Sequence, residues 1–284
     1  MSGSGAAGAS GAAGASVEAA ERFRSLHDVG RLLVLPNAWD AGSARLIESC
    51  GASAIATTSS GVAWACGYPD GDAIPPRVLA DAVARIARVI AVPLTIDAEG
   101  GYSSEPERVG ETIRALVDAG AVGVNLEDGP RPPDVLCAKI AAARRAADRV
   151  GIALFINART DVFLRGLVPA ETRVAETLAR AERYREAGCD GIFVPAAADP
   201  HDIAALVAGT PLPVNVMMVP KLPALAALAK LGVRRVSAGA AIAQAAHGLT
   251  RRLATQLLAG DAGALFEGAA TYGELNALFA TPAA

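Results

Sequence analysis

The sequence predicts an α/β protein, a (β/α)8 barrel of the TIM type. Eight short runs rich in Val, Ile and Leu alternate with Ala-rich stretches of helical spacing, and this alternation is typical of a parallel sheet covered by helices. The pattern Ala-Gly-x-x-Gly plus a hydrophobic residue recurs at 119–124 and 187–192, as expected where a helix returns to a strand. No GxGxxG follows the first run, so an open doubly wound sheet that binds a dinucleotide is the second choice.

The eight runs are predicted strands, and in chain order they are Leu32–Leu35, Ala54–Thr58, Leu94–Ile96, Gly123–Leu126, Leu154–Asn157, Gly191–Val194, Val214–Met217 and Arg235–Ser237. Apolar residues recur at i, i+4, i+7 and i+11 within Pro75–Ile90, which predicts a helix with one buried face. Helices are also predicted over Glu107–Ala119 and Glu171–Ala187, because each stretch is followed by the Gly expected at a helix C-terminus.

The predicted barrel covers residues 17–260 of the 284, since such barrels routinely form one domain of about 250 residues. Residues 1–16 are a Gly/Ala/Ser repeat without the basic start or apolar core of a secretory signal, and they are predicted to be a flexible, disordered tail. Residues 261–284 are predicted to be a C-terminal extension with one or two helices that pack on a neighbouring subunit.

Composition excludes several classes of partner and cofactor. A net charge of −3 without basic runs argues against nucleic acid, and no run is long and apolar enough to predict a membrane span. The 4 Cys are scattered, so neither a disulfide framework nor a zinc pattern is expected, and a soluble cytoplasmic protein is predicted. With only 3 His, a metal site would consist of oxygen ligands around a hard cation.

Charged side chains follow three neighbouring predicted strands, where the active site of a barrel lies. Asp97 and Glu99 end the third strand, Glu127 the fourth and Arg159 the fifth. Three carboxylates in a partly buried mouth repel one another, and a divalent cation relieves this repulsion; Mg²⁺ suits oxygen ligands, with Mn²⁺ as the alternative. Arg159 offers a planar fork for a substrate carboxylate or phosphonate.

Other residues near the strand ends have competing interpretations. The backbone N–H groups around Ser60–Val62 form a candidate anion site, although Ser-Gly turns of this kind are common. Gly100 and Gly101 are expected to let a substrate approach the backbone closely. Asp128 and Asp161 are expected to cap a loop or pair with a neighbouring Arg rather than to act on a substrate.

Taken together, these segments resemble the isocitrate lyase/phosphoenolpyruvate mutase superfamily. The similarity runs from about residue 24 to 260, with the motifs in the expected order on the expected strands. The matching segments are 36–40 (Pro-Asn-Ala-Trp-Asp), 58–62 (Thr-Ser-Ser-Gly-Val), 67–70 (Gly-Tyr-Pro-Asp), 94–102 (Leu-Thr-Ile-Asp-Ala-Glu-Gly-Gly-Tyr), 125–128 (Asn-Leu-Glu-Asp) and 156–161 (Ile-Asn-Ala-Arg-Thr-Asp).

The resemblance implies a (β/α)8 barrel whose eighth helix is often exchanged between subunits, so that a homo-oligomer, a dimer or tetramer, is expected. It also implies Mg²⁺ held at the position of Asp97, with Glu99 and Glu127 as further ligands that often act through water.

The same resemblance implies the roles of the remaining site residues. Ser60, Gly61 and Val62 would hold the carboxylate of a 2-oxo acid, and Arg159 would contact the far end of the substrate. Asp70, on a loop that is mobile in the family, is the expected catalytic polar residue, and Arg159 is expected to be catalytic as well.

The loop after the fourth strand departs from the family pattern. Residues 127–134 contain neither the Lys-Lys/Arg-Cys-Gly-His segment of true lyases nor the Lys-Thr/Asn-Ser pattern of phosphonopyruvate mutases. Cys137 follows, but it is expected to pack inside the next helix. The departure therefore argues against isocitrate or methylisocitrate cleavage and against phosphoryl mutation.

The predicted function is a Mg²⁺-dependent lyase that cleaves a C–C bond in a small 2-oxo or 2-hydroxy dicarboxylic acid through a pyruvate-type enolate, as in oxaloacetate-like decarboxylation. One alternative is a P–C bond mutase or hydrolase acting on phosphonopyruvate-like compounds, for which Arg131 is the candidate extra cation. The other is a barrel that binds a 2-oxo acid without turnover.

Overall fold

A computed structural model describes residues 15–28 and 30–280 of the chain. Most of the predicted N-terminal tail, residues 1–14, and the last four residues of the predicted extension, 281–284, lie outside the described residues. Helix α1 (Val17–Ser25) begins the described fold, and the side chain of Ser16 caps it by accepting a hydrogen bond from the backbone N–H of Ala19.

The barrel is closed through a first strand that is split in two. β1 (Leu33–Leu35) pairs with the last strand, β9 (Arg235–Ser237), and β2 (Asn37–Ala38) pairs with β3 (Ile55–Thr57). Pro36 lies between the halves, and it has no N–H to donate to a ladder. The remaining strands are β4 (Leu94–Asp97), β5 (Gly123–Glu127), β6 (Phe155–Arg159), β7 (Gly191–Phe193) and β8 (Val214–Met217).

All neighbouring strands are parallel, in the order β1-β9-β8-β7-β6-β5-β4-β3-β2. The fold is therefore the predicted (β/α)8 barrel, and each predicted strand overlaps an observed one. The helices surround it in the order α2 (Ala41–Ser49), α3 (Ser59–Ala65), α4 (Pro76–Ala87), α5 (Pro106–Asp118), α6 (Pro133–Asp148), α7 (Val162–Arg165), α8 (Arg173–Glu186), α9 (Pro200–Gly209), α10 (Leu225–Leu231), α11 (Ala241–Leu258) and α12 (Tyr272–Ala280), with short 3₁₀ helices at Ala170–Thr172 and Gly263–Phe266.

Helix α1 closes the bottom of the barrel. Its Phe23 is fully buried, with the ring 5.6 Å from that of Phe155 at the start of β6. A Cβ at Gly123, the first residue of β5, would lie 2.6 Å from the Phe23 ring, so this position requires glycine. Because α1 covers the ends where the strands begin, the open mouth is at their carboxyl ends, where the charged residues were predicted.

The C-terminal helices add little to the barrel's own core. Of the 18 residues in α11 only Ala243 is buried, and Leu249, Leu257 and Leu258 are exposed. Helix α12 lies against α2, where the Leu278 carbonyl accepts a hydrogen bond from Arg45. None of the helices in the described part of the chain is long and apolar enough to cross a membrane.

Candidate active site

A cavity of about 280 Å³ opens at the carboxyl ends of the strands. Four of the predicted site residues line it: Ser60, Asp70, Asp97 and Arg159. Further polar groups around it come from β2, β5 and β9, from the start of α3 and from α11, and an apolar wall completes the lining. The additional polar lining residues are Asn37, Thr58, Ser59, Asn125, Ser237 and Gln244, and the large apolar ones are Leu164, Phe193, Pro195, Met217 and Met218.

Asp97 is the last residue of β4 and carries the least satisfied carboxylate of the site. Its backbone N–H donates to Thr57 Oγ1 at 2.9 Å, and its Oδ2 accepts from the N–H of Ser59 at 3.3 Å. Its Oδ1 is buried and has no hydrogen-bond partner among the described residues. A buried carboxylate oxygen without a partner is costly, so this atom fits a bound cation or a ligand proton.

Glu99 does not line the cavity, and its carboxylate contacts the loop that carries Asp70. Its carboxylate accepts hydrogen bonds from the backbone N–H groups of Gly71, at 2.8 Å, and of Asp72, and from the hydroxyl of Tyr102 at 3.1 Å. Burial raises the pKa of Glu99 to about 7, and the charges of Asp70, Asp72 and Asp97 act in the same direction. Glu99 therefore holds the loop while it adds to the negative charge of the site.

Asp72 provides further contacts between the loop and the end of β4. We call the contacts of Glu99 and Asp72 that hold the loop there the clamp. Its Oδ1 accepts from the backbone N–H of Gly100 at 3.0 Å and of Tyr102 at 3.1 Å. Three non-glycine residues of the clamp, Asp72, Glu99 and Tyr102, have positive φ angles of 57°, 47° and 61°. Such backbone strain costs about 1–3 kcal/mol per residue and is typical of functional sites.

Gly100 serves this clamp rather than a substrate. A Cβ at Gly100 would lie 2.5 Å from Asp72 Oδ2, and one at Gly101 would lie 2.7 Å from Val109 Cγ1. The expectation that both glycines admit a substrate is therefore wrong: the close neighbours are side chains of the protein itself.

We expect Gly100→Ala to release the loop, because the added methyl group displaces the Asp72 carboxylate from both of its backbone donors. The variant should lose roughly tenfold to a hundredfold in kcat/KM and should be cut more readily by proteases near residue 70. Gly273→Ala is the matched control, since nothing lies within 4 Å of a Cβ at Gly273. Equal protease resistance of the two variants would contradict the clamp.

Glu127 and Arg159 face each other across β5 and β6, where they are paired in register. Arg159 Nη1 lies 2.6 Å from Glu127 Oε2, and its Nε donates to Asp161 Oδ1 at 2.8 Å. Burial raises the pKa of Glu127 to about 8 although Arg159 opposes the shift. Burial also disfavours the charge of Arg159, but the carboxylates of Glu127, Asp97 and Asp161 outweigh it and raise the pKa of the guanidinium. Arg159 Nη2 makes no hydrogen bond to the described residues and remains for a ligand.

Asp161 and Asp128 form a buried layer behind Arg159. Asp161 also accepts from Arg165 at 2.7 Å, and its backbone N–H donates to Asp128 Oδ1 at 2.9 Å. Asp128 Oδ2 accepts from Arg180 at 2.8 Å and from the hydroxyl of Tyr184 at 2.7 Å. Both aspartates thus pair with arginines, as the sequence predicted. Asp161 holds the Arg159 guanidinium in place, and Asp128 in turn holds the backbone of Asp161.

The predicted anion site lies at the start of α3. The N–H of Val62 donates to the carbonyl of Thr58 at 3.0 Å and is already used by the helix. The N–H groups of Ser60 and Gly61 belong to the first turn, where a helix provides no acceptor. A Cβ at Gly61 would lie 2.8 Å from that of Trp39, so packing requires this glycine.

The three predicted metal ligands come from neighbouring strand ends, but they are not gathered around one point. Within residues 15–28 and 30–280, no three His, Cys, Asp or Glu side chains form a group that could hold a metal ion. Glu99 is engaged by the loop and Glu127 by Arg159, whereas Asp97 keeps an unpartnered oxygen. This donor set fits a cation bound directly by one carboxylate and through water by the others.

The sequence did not indicate every residue of the cavity. Asn125 lines it, and its place two residues before Glu127 on a strand could have indicated this, since alternate residues face the same side. Met217 also lines the cavity, whereas Trp39 and Asn215 do not. Arg131 is also absent from the cavity lining and lies beside Gly100.

Comparison with known proteins supports the family resemblance found in the sequence. The family model for phosphoenolpyruvate phosphomutase matches residues 23–258. The chain belongs to this family. The family is part of the isocitrate lyase/phosphoenolpyruvate mutase superfamily, whose members are lyases and mutases that act on small molecules, so the protein is an enzyme of this kind.

Relatives in the family carry different activities. An uncharacterised protein of Mycobacterium tuberculosis is 39% identical over 225 residues, 76% of this chain and 81% of the relative. The oxaloacetate decarboxylase of Paraburkholderia xenovorans is 30% identical over 226 residues, 78% of this chain and 75% of its own. A solved Burkholderia cenocepacia structure, provisionally described as a phosphonomutase, is 47% identical, with a TM-score of 0.80 over 84% of this chain and 100% of its own.

Proposed function

We propose that this protein is a Mg²⁺-dependent lyase that cleaves a C–C bond in a small 2-oxo or 2-hydroxy dicarboxylic acid, for example by oxaloacetate-like decarboxylation. The observation that carries the proposal is the buried, unpartnered Oδ1 of Asp97 in a cavity also lined by Ser60, Asp70 and Arg159. The similarity to an oxaloacetate decarboxylase supports the choice of reaction.

Asp97 would hold the cation directly, and Glu99 and Glu127 would hold it through water; Mn²⁺ is the alternative metal. When bound, Mg²⁺ supplies positive charge next to the 2-oxo oxygen, where negative charge collects as the bond at C3 breaks. Phosphonopyruvate hydrolase, which shares the fold at 24% identity, has been solved with oxalate and Mg²⁺.

The chain's own residues bind and orient the substrate. The N–H groups of Ser60 and Gly61, in the first turn of α3, would donate hydrogen bonds to the carboxylate next to the 2-oxo group, and the N–H of Val62 would support this turn from within the helix. Arg159 would contact the far end of the substrate through its unused Nη2. Asp70 is our candidate catalytic residue, on a loop whose docking to Glu99 would exclude water from the cavity.

Two features favour C–C over P–C cleavage. Among the described residues, Arg159 is the only cationic side chain that lines the cavity, and two carboxylates already face it. A phosphonyl group carries up to two negative charges and would find no second cation here. The apolar wall of Leu164, Phe193 and Met217 suits carbon substituents better than phosphonyl oxygens.

The test is an assay of pyruvate release from oxaloacetate and related 2-oxo and 2-hydroxy diacids, with MgCl₂ or with EDTA. We expect turnover that needs Mg²⁺ and that is lost in Asp97→Ala but kept in the exposed control Asp118→Ala. Turnover of phosphonopyruvate alone would favour the P–C alternative. Tight binding of these acids without any product would favour the non-catalytic alternative.

We further propose that the protein is a homo-oligomer, a dimer or tetramer, in which α11 and the segment after it pack on, or exchange with, a neighbouring subunit. The support is the exposure of large apolar side chains there, including Leu258 at 89% and Phe266 at 82%. Light scattering after gel filtration measures the oligomeric state directly, and a monomer at micromolar concentration would refute the proposal.

The four free cysteines support our placement of the enzyme in the reducing cytoplasm.

A further inference from the structure

A chain of buried amides lies inside the barrel, directly below the cavity. Asn157 Nδ2 donates to Asn125 Oδ1 at 3.0 Å and to Asn215 Oδ1 at 3.1 Å. Arg235, which is fully buried, donates from Nη2 to the same Asn125 Oδ1 at 3.3 Å. Asn125 is therefore the member of this chain that receives two donors and also lines the cavity.

The hydrogen bond from Arg235 fixes the direction of the Asn125 amide. A guanidinium can only donate hydrogen bonds, so the oxygen of Asn125, and not its NH₂ group, must face Arg235. A flipped amide would place its own donors against those of Arg235 and Asn157. The Nδ2 of Asn125 consequently points the other way.

The Nδ2 of Asn125 donates no hydrogen bond to any residue that the structure describes, although Asn125 is only 7% exposed. This Nδ2 is not among the fully buried side-chain atoms that lack a partner, so the donor is accessible from the cavity that Asn125 lines, and the cavity is the place from which a partner can come. Asn125 also pairs in register with Asp97, so its side chain lies beside the carboxylate with the unpartnered oxygen.

Asn37 provides the contrast within the same cavity. Its Nδ2 donates to the carbonyl of Thr57 at 2.7 Å, and its Oδ1 accepts from the N–H of Gly239 at 3.0 Å. Both ends of the Asn37 amide are thus committed to the backbone. Of the two asparagines in the described lining of the cavity, Asn125 is the one whose NH₂ group has no acceptor among the described residues.

We propose that Asn125 is a substrate-binding residue that donates from Nδ2 to an oxygen of a bound 2-oxo acid, and that Arg235 is the positioning residue that holds the amide in this orientation. The inference deepens the proposed function and rests on it. The acceptor is a carboxylate or 2-oxo oxygen, and a hydrogen bond to a charged oxygen is stronger than one between neutral groups.

The experiment measures the binding of oxalate by calorimetry in MgCl₂, with the full chain. We expect Asn125→Ala to bind oxalate about tenfold to a hundredfold more weakly than the wild type. Asn157→Ala is the matched control, because Asn157 is buried in the same amide chain but does not line the cavity. The control should bind oxalate nearly as well as the wild type, since Arg235 still orients Asn125.

The role of Arg235 is tested with two replacements that differ in whether they can accept a hydrogen bond from Asn125. Arg235→Lys keeps a group that only donates and should keep most of the oxalate affinity. Arg235→Gln can donate or accept, so the Asn125 amide is free to flip, and binding should weaken as in Asn125→Ala. The side-chain NH₂ resonances of Asn125 supply a second readout, because oxalate should shift them in the wild type and in Arg235→Lys.

The outcomes separate this inference from the proposed function. If the wild type binds no oxalate in MgCl₂, the proposed function fails. If the wild type binds oxalate and folded Asn125→Ala binds it equally well, the proposed function stands and the role of Asn125 is overturned. If a replacement of Arg235 does not fold, the comparison of Asn125→Ala with Asn157→Ala decides.

Discussion

Arg159→Met should lower turnover by about two to three orders of magnitude, the loss seen when a preorganised donor is removed from a reacting anion. The guanidinium is the only cationic group in the described lining of the cavity, and Glu127 and Asp161 hold it in place from two sides. Methionine fills a similar volume but leaves the substrate's far end without a donor. Arg159→Lys should recover little activity, because an ammonium cannot span two carboxylates as the planar fork does.

The matched control for this prediction is Arg165→Met. Arg165 pairs with the other oxygen of the same Asp161 at 2.7 Å, but its side chain is 50% exposed and lies outside the cavity. Steady-state kinetics of the two variants therefore separate a ligand contact from a contribution to the ion network. If both lose activity equally, Arg159 acts through Asp161 and not on the substrate.

The barrel itself was predictable from the sequence because each strand is a short run of β-branched and apolar residues between helices with a clear periodicity. The site was predictable in part for the same reason: the strand ends fix where Asp97, Glu127 and Arg159 lie. The pairing of Glu127 with Arg159 follows from the register of β5 and β6. Local pattern and strand order were sufficient for these positions.

Contacts between segments distant in the sequence could not be predicted in this way. Glu99 is only two residues from Asp97, a spacing that places both side chains on one side of an extended strand. A positive φ of 47° at Glu99 breaks this alternation, and its carboxylate contacts the loop. The close approach of the Asp72 carboxylate to Gly100 depends on that same turn of the backbone. The direction of the Asn125 amide is set by Arg235, which lies 110 residues later in the chain.

Asp128→Ala should be the most destabilising of the substitutions considered, at about 3–5 kcal/mol in the free energy of unfolding. The Asp128 carboxylate is fully buried and accepts hydrogen bonds from Arg180, Tyr184 and the backbone of Asp161. Its removal leaves a largely buried guanidinium with only Glu176, and it leaves the hydroxyl of Tyr184 without an acceptor. Thermal and urea unfolding should show a fall in Tm on the order of 10 °C.

Asp134→Ala is the control that separates the loss of a buried ion pair from the loss of an exposed one. Asp134 also pairs with an arginine of α8, Arg183, but its side chain is 81% exposed, and an exposed ion pair contributes about 0–1 kcal/mol. Asp128→Asn should fall between the two, because it keeps the volume and an acceptor but leaves the charge of Arg180 less balanced. Equal unfolding midpoints for Asp128→Ala and Asp134→Ala would mean that the layer behind Arg159 adds no stability, and that its effect is confined to orienting the guanidinium.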